Sequence, residues 1–187
     1  MVGSVMTVIE TSRLRLRPWF EYDQTAFAQM NADPVVMRYF PAPLSRSESD
    51  ALMARLQSLI DQNGYGFWAL EHKRTHALMG FVGLNDQLID SGFPVTPLTE
   101  IGWRLAASYW GKGYAPEAAK AVLQWAWQHL DLDSVYAFTT LANQPSRRVM
   151  EKIGMSDTGM DFDHPKLAHD HPLARHCFYR IARPESY

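Results

Sequence analysis

The 187-residue chain is 47% hydrophobic, 20% charged and 12% aromatic, with a formal net charge of -2. That length suits one domain with a buried core and is short for two, and the balanced charge excludes a global basic field that would gather nucleic acid or anionic membrane. A single cysteine, Cys177, excludes an intramolecular disulfide and fits a reducing compartment. The opening MVGSVMTVIETSRLRLRPW lacks the apolar centre of a signal peptide, and no apolar run reaches the roughly 18 residues that span a bilayer. These features predict a cytoplasmic protein, monomer or homodimer, with neither nucleic acid nor membrane as partner.

In chain order, Arg13 to Pro18 alternates Arg with Leu and reads as a strand with one wet face. Asp23 to Ala32 and Ser45 to Gln62 read as helices. The second opens on a capping box, Ser45 with Glu48, and stops at Asn63-Gly64. RYFPAPL between them is a proline-broken loop. Gly66 to Glu71 and Ala77 to Asn85 form a predicted hairpin over HKRTH, and SGFPVTP is a loop. A strand over Glu100 to Ala106, a helix over Pro116 to Leu130 and a strand over Ser134 to Leu141 then make a strand–helix–strand unit with parallel strands and a right-handed crossover. Asn143 caps a further helix to Ile153, with Pro145 in its first turn and Gly154 as its stop. Strands near Ser156 to Phe162 and His176 to Arg183 close the chain.

The segment SYWGKGYAPEAAKAVLQWAW sets Gly111 and Gly113 directly before a helix. Ala115, Ala119, Val122, Leu123, Ala126 and Leu130 form its apolar stripe, while Lys120, Gln124 and Gln128 face away. The first N–H groups of a helix lack intrahelical partners and sit at the positive end of its dipole. Glycines there let an anion approach, so the turn suits a phosphate or pyrophosphate. The same glycines also serve a plain tight turn, and spacing alone leaves both readings open. There is no G-x-x-x-x-G-K-[ST] and no N-terminal G-x-G-x-x-G, which argues against P-loop and Rossmann sites.

TEIGWRLAASYWGKGYAPEA, followed by helix, strand and ANQPSRRVMEKIGM, resembles the GNAT superfamily of acetyl-CoA-dependent N-acetyltransferases. ETSRLRLRPW, DPVVMRYF and HPLARHCFYRI resemble the branch holding the ribosomal-protein N-terminal (alanine/serine) acetyltransferases, so the likeness covers nearly the whole chain, 1–187, as a single domain. It implies an α/β fold (mixed α+β), with a central twisted mixed sheet of about seven strands and helices on both faces. It also implies acetyl-CoA as cosubstrate. The family's [Q/R]-x-x-G-x-[G/A] loop is met by Gly113-Tyr114-Ala115, with Trp110 where Gln or Arg is common. The resemblance places the N–H groups of Gly111, Lys112, Gly113, Tyr114 and Ala115 around the CoA pyrophosphate. It sets peptide groups near Leu105 and Ala106 along the pantetheine arm, between diverging strands, and turns Asn143 toward the cofactor.

Acetyl transfer to an amine needs a neutral amine, a polarised thioester and a proton for the departing thiolate. By resemblance Glu100 is the base. A sheet-edge glutamate in a salt bridge is the alternative. The superfamily's usual acid, a tyrosine, is replaced here by Met150, and Ser146 one turn earlier resembles the serine of this branch. Its hydroxyl either assists the thiolate or merely lines the first helical turn. Tyr114 and Tyr136 are fallback donors. Arg147 and Arg148 meet CoA phosphates or lie on a solvated helix face. His164, His169, His171 and His176 match no standard zinc spacing, so no metal is expected. His164 and Phe40 are the candidate acceptor contacts, and Tyr39 and Trp68 line the same pocket or the core. The acceptor is a small-molecule or peptide amine. The competing functions are a non-catalytic acyl-CoA-binding or sensing module, and a phosphate-ligand enzyme of another class.

Overall fold

The LRLR alternation becomes strand β2, Leu14–Arg17, in a computed structural model that describes residues 8–187. Residues 1–7, the start of the segment read as lacking a signal peptide, lie outside the described residues. Leu14 and Leu16 are fully buried, as period-2 patterning requires. Arg17 departs from the wet face expected of it. It is 4% exposed, and its guanidinium meets Asp23 at 2.8 and 2.9 Å and Glu71 at 2.9 Å. A buried cation persists where carboxylates surround it, and Asp23 and Glu71 supply them.

β1, Ile9–Glu10, precedes β2, and β3, Phe67–His72, and β4, Leu78–Gln87, form the expected hairpin beside it. β5, Leu98–Leu105, pairs with β4 along its whole length. β6, Ser134–Thr140, runs parallel to β5 and antiparallel to β9, Arg175–Ala182. The sheet order is β1-β2-β3-β4-β5-β6-β9-β7, with β8 also on β9. Among the described residues nine strands replace the expected seven or so. β1 is one addition, and the predicted strand at 156–162 divides into β7, Ser156–Asp157, and β8, Phe162–Asp163. Residues 158–161 stand opposite only Cys177 and Phe178, so the ladder must bulge there. Gly159 takes φ +74 at that point.

The helices follow their caps. α1 is Gln24–Ala32, and α2 is Arg46–Asn63, with the Ser45–Glu48 capping box formed and Gly64 left-handed at its end. α3, Tyr114–His129, starts from left-handed Gly113, and α4, Gln144–Lys152, is capped by Asn143. Aromatic contacts fix the layers. Phe27 of α1 meets Phe81 of β4, while Trp125 of α3 meets Trp68 of β3 edge-on. Trp68 stands opposite Val82, the neighbour of Phe81, and successive strand residues point to opposite faces. α1 and α3 therefore cover opposite faces. α2 joins α1 through the Asn31–Ser49 hydrogen bond at 3.0 Å. α4 lies on the face of α3, where Ser146 meets Trp103, the residue opposite Val82.

Removing one carboxylate from a buried ion cluster leaves charge uncompensated. Asp23→Ala is expected to destabilise the fold by about 3–5 kcal/mol. Urea denaturation followed by circular dichroism checks it; an unchanged midpoint would show that the Arg17 cluster adds nothing to stability.

Candidate active site

The site begins with a defect in the sheet. β5 and β6 pair at a single register, Glu100 opposite Tyr136, although both strands run on. Beyond that bridge they part, and a cavity of about 930 Å³ passes between them. On the α3 and α4 face it is lined by Gly111, Gly113, Tyr114, Asn143 and Ser146, and on the α1 and α2 face by Glu100, Arg104, Phe40, Phe67 and Phe81.

At one end lies the glycine turn. Gly111 and Gly113 adopt φ +73 and +80. A Cβ added at Gly111 meets nothing within 4 Å, and one at Gly113 meets only the Arg13 Nη2, at 3.6 Å. The first intrahelical bond near the turn is Glu117 N–H to Gly113 C=O at 3.2 Å, Pro116 has no N–H, and the earlier amides are left for an anion. Arg13, just before β2, holds this turn. Its Nε donates to Glu117 at 2.7 Å, its Nη1 to the Lys112 carbonyl at 3.1 Å, and its guanidinium lies 4.2 Å from the Tyr114 ring centroid. Lys112 itself does not line the cavity. The geometry fits a pyrophosphate held by backbone N–H groups.

Trp110, standing where Gln or Arg is common in the family loop, folds back and donates its indole N–H to the Leu105 carbonyl at 2.9 Å. Ala106 donates its N–H to Met79 on β4 at 2.9 Å and does not line the cavity. Alternation along an antiparallel ladder then turns the peptide groups of Trp103 and Leu105 toward the gap. Of the two peptides expected along a pantetheine arm, Leu105 is so placed and Ala106 is not. Thr140 Oγ1, also on the cavity, is buried with no partner.

Glu100 faces the cavity at the bridge. Its Oε1 accepts from Asn85 Nδ2 at 2.9 Å and Gln87 Nε2 at 3.1 Å, and among the described residues Oε2 accepts no hydrogen bond. Among the described residues it makes no salt bridge, unlike the ion-paired glutamate of the alternative reading. Burial pushes its carboxyl up to about 7, against the opposing pull of the two amides and of Lys166. Ser146 Oγ accepts from Trp103 Nε1 at 3.2 Å, which leaves its own hydroxyl proton to be donated. Asn143 caps the same turn, accepting from Ser146 N–H at 3.3 Å and donating to Thr139 Oγ1 at 2.9 Å. Met150 is buried, and Tyr136, stacked on Phe178, does not line the cavity. Arg147 is engaged by Tyr179, Leu141 and Asp157, whereas Arg148 reaches the cavity rim.

His164 packs against Phe93, Phe138 and His176, with ring centroids 5.5, 5.9 and 5.0 Å away. Burial, reinforced by His176 and Lys166, lowers it to about 4, so the ring is neutral at pH 7. His169 pairs instead with Asp163, and His171 accepts from Leu173 N–H. Among the described residues no three His, Cys, Asp or Glu side chains converge as a metal site. Phe40 and Tyr39 line the cavity, and Trp68 belongs to the core. Arg13, Trp103, Arg104, Asn85 and Gln87 were not singled out from sequence. Only the i, i+2, i+4 spacing of Glu100, Gly102 and Arg104 carried a signal, placing them on one face of β5.

A mixed sheet split between two parallel strands, with a glycine turn and helix N-terminus at the split, defines an acyl-CoA-type acyltransferase. The family described as acetyltransferase (GNAT) domain matches residues 13–156, and the chain belongs to it. YkkB of Bacillus subtilis (strain 168) is 34% identical over 80% of this chain and 85% of its own. The N-acetyltransferase YnaD of the same organism is 31% identical over 81% and 84%. A GNAT-family acetyltransferase crystal structure from Bacillus anthracis superposes with TM-score 0.77 at 26% identity, covering 95% of this chain and 99% of that one. The chain is accordingly an N-acetyltransferase of the GNAT family, whose members use acetyl-CoA.

Gly113→Val places a branched side chain between an anion and the backbone N–H groups of the cradle, and a lost charge-assisted hydrogen bond of about 1–2 kcal/mol is roughly a 5- to 30-fold weaker CoA dissociation constant. Calorimetry checks it, with Gly159→Val as control. Gly159 has a similar φ of +74 and lies off the cavity, so equal weakening by both would contradict the cradle.

Proposed function

We propose that the protein acetylates a primary amine of a small molecule or peptide, in the cytoplasm, by direct attack within a ternary complex with acetyl-CoA. The observation that carries this reading is Glu100, a carboxylate poised near neutrality on the cavity wall with one oxygen fixed by two amides and the other free. An amine nucleophile needs a proton acceptor of that kind, matched to the working pH. The thioester supplies an activated acetyl group, and the turn from Gly111 to Ala115, with Asn143 and the inward peptide of Leu105, is the set of groups that would hold its CoA portion.

As the amine lone pair bonds to the acetyl carbon, Oε2 of Glu100 takes the amine proton, directly or through one water. The carbon–sulfur bond breaks, and the Ser146 hydroxyl, oriented by Trp103 Nε1, donates a hydrogen bond to the departing thiolate, which takes its proton from solvent. Phe40 and neutral His164 border the acceptor. Cys177 is buried, its thiol pushed upward by burial, and does not line the cavity. That supports direct transfer over an acyl-cysteine route.

Since the base works unprotonated, kcat/KM should rise with pH and level off above about 7. Glu100→Gln should lower kcat by roughly 100- to 10,000-fold while CoA affinity stays constant. Turnover that survives this change would remove Glu100 as the base. No turnover on any amine by the wild type, with CoA binding intact, would favour the sensing module. Asn85→Ala deletes a donor that pulls the carboxyl down, so its rising limb should move to higher pH. A pH-rate profile reads both.

A further inference from the structure

The cavity's charge does not match the chain's. Arg38, Arg104, Arg148, Lys152 and Lys166 line it against one carboxylate, Glu100. Arg148 and Lys152, on α4, sit on the side assigned to CoA. Arg38, Arg104 and Lys166 stand by the acceptor. Four of the five are exposed at the rim, and only Arg104 is enclosed.

Its surroundings are those of a charge without a counter-ion. The guanidinium lies 4.3 Å from the Phe40 ring centroid and 5.2 Å from that of Phe81. Nη1 donates to Asn31 Oδ1 at 2.9 Å, and Asn31, fully buried, is held in turn by Ser49. Nε is buried with no hydrogen-bond partner, Nη2 makes no hydrogen bond, and no salt bridge reaches the residue among the described residues. Burial alone lowers the group to about 10, still protonated at pH 7. Elsewhere the fold neutralises a buried arginine, giving Arg17 two carboxylates. For Arg104 it holds Nη1, covers Nε and leaves Nη2 unpaired beside the cavity, a donor on a fixed cation that suits a carboxylate oxygen.

We infer that Arg104 binds a carboxylate carried by the acceptor amine. This rests on the reading of the cavity as an amine acetylation site. Glu100 and Arg104 lie on one face of β5 four residues apart, so at a rise of about 3.3 Å per residue their backbones are roughly 13 Å apart. The amine sits toward Glu100 and the carboxylate toward Arg104, with the Phe40 and Phe81 rings beside the connecting atoms. A polyamine brings only positive charge to such a wall and is disfavoured. Both a free amino acid and a peptide with an acidic residue behind its N-terminus carry the required group.

The deciding experiment compares initial rates on free amino acids, their carboxamides, diamines of matching length, and short peptides with Asp or Asn at the second or third position. The wild type should favour the carboxylate over the paired carboxamide by roughly 10- to 100-fold in kcat/KM, the range of a charge-assisted bond. Preference among amino acids names a free amino acid, and preference among peptides names an acidic one. Equal rates, or diamines preferred, overturn the inference without any variant. Arg104→Met should collapse the ratio through KM for the acceptor, with KM for acetyl-CoA constant, and Arg104→Lys should restore part of it. If no amine turns over, the acetylation reading fails by itself. Calorimetry with the N-acetylated amino acids and peptides in the presence of CoA then decides Arg104. Binding that weakens tenfold or more in Arg104→Met supports the carboxylate subsite, and absence of wild-type binding overturns it.

Discussion

The single bridge between β5 and β6 is the constraint on which the site depends. A sheet ordinarily continues pairing once begun, because an unpaired buried peptide group costs free energy comparable to a lost hydrogen bond. Here each strand is satisfied on its outer side, β5 by eight registered pairs with β4 and β6 by seven with β9. The inner edges are thus held apart by strands that are themselves fixed, so the gap keeps its shape. Trp110 answers the Leu105 carbonyl at the far end of β5, and Asn143 caps α4 just beyond β6. What stays unpaired between these points is a short row of peptide groups and Thr140 Oγ1, an edge suited to an extended, amide-bearing arm.

Because the cleft passes through the sheet, the two faces divide the chemistry. Trp103 and Ser146 stand on the face of α3 and α4, beside the helix N-terminus where an anion is welcome. Glu100 and Arg104, on the same strand but of opposite parity to Trp103, stand on the other. Strand alternation is enough to put the Ser146 hydroxyl on one side of the cleft and the Glu100 carboxyl on the other, the two sides that the proposed transfer needs. The arrangement also keeps the carboxylate away from the glycine turn, where a bound anion would repel it.

The parts of this design legible in the sequence are local. Capping boxes, helix stops and the glycine turn are decided within a few residues, and Ser45, Gly64, Gly113 and Asn143 do what their types and positions require. What was not legible depends on residues about 50 to 100 positions apart. Arg13 reaches Glu117 and Lys112, and Arg17 is buried by Glu71. In both cases an alternating Arg-Leu pattern fixes which face a residue is on but not what covers that face. Trp68 and Tyr39 illustrate the same limit, since an aromatic suits core and pocket alike, and packing sends the first to the core and the second to the cavity. The break between β7 and β8 lies between the two kinds: Gly159 is visible in sequence, but its bulge is set by register against β9.

Net charge is the clearest case of a global quantity that says nothing about a site. A formal charge of -2 leaves peptide, polyamine and amino-acid acceptors equally plausible, because it averages over surfaces that no ligand touches. The field an acceptor meets is that of the cavity wall, where one carboxylate faces several cations and the low-dielectric interior strengthens each interaction. Glu100 is held up near 7 chiefly by burial, and Lys166 moderates that rise. The same burial leaves Arg104 charged but unpaired. One wall therefore sets a carboxyl held near neutrality four residues along the same strand from an uncompensated guanidinium, and both take their character from the same desolvated surface.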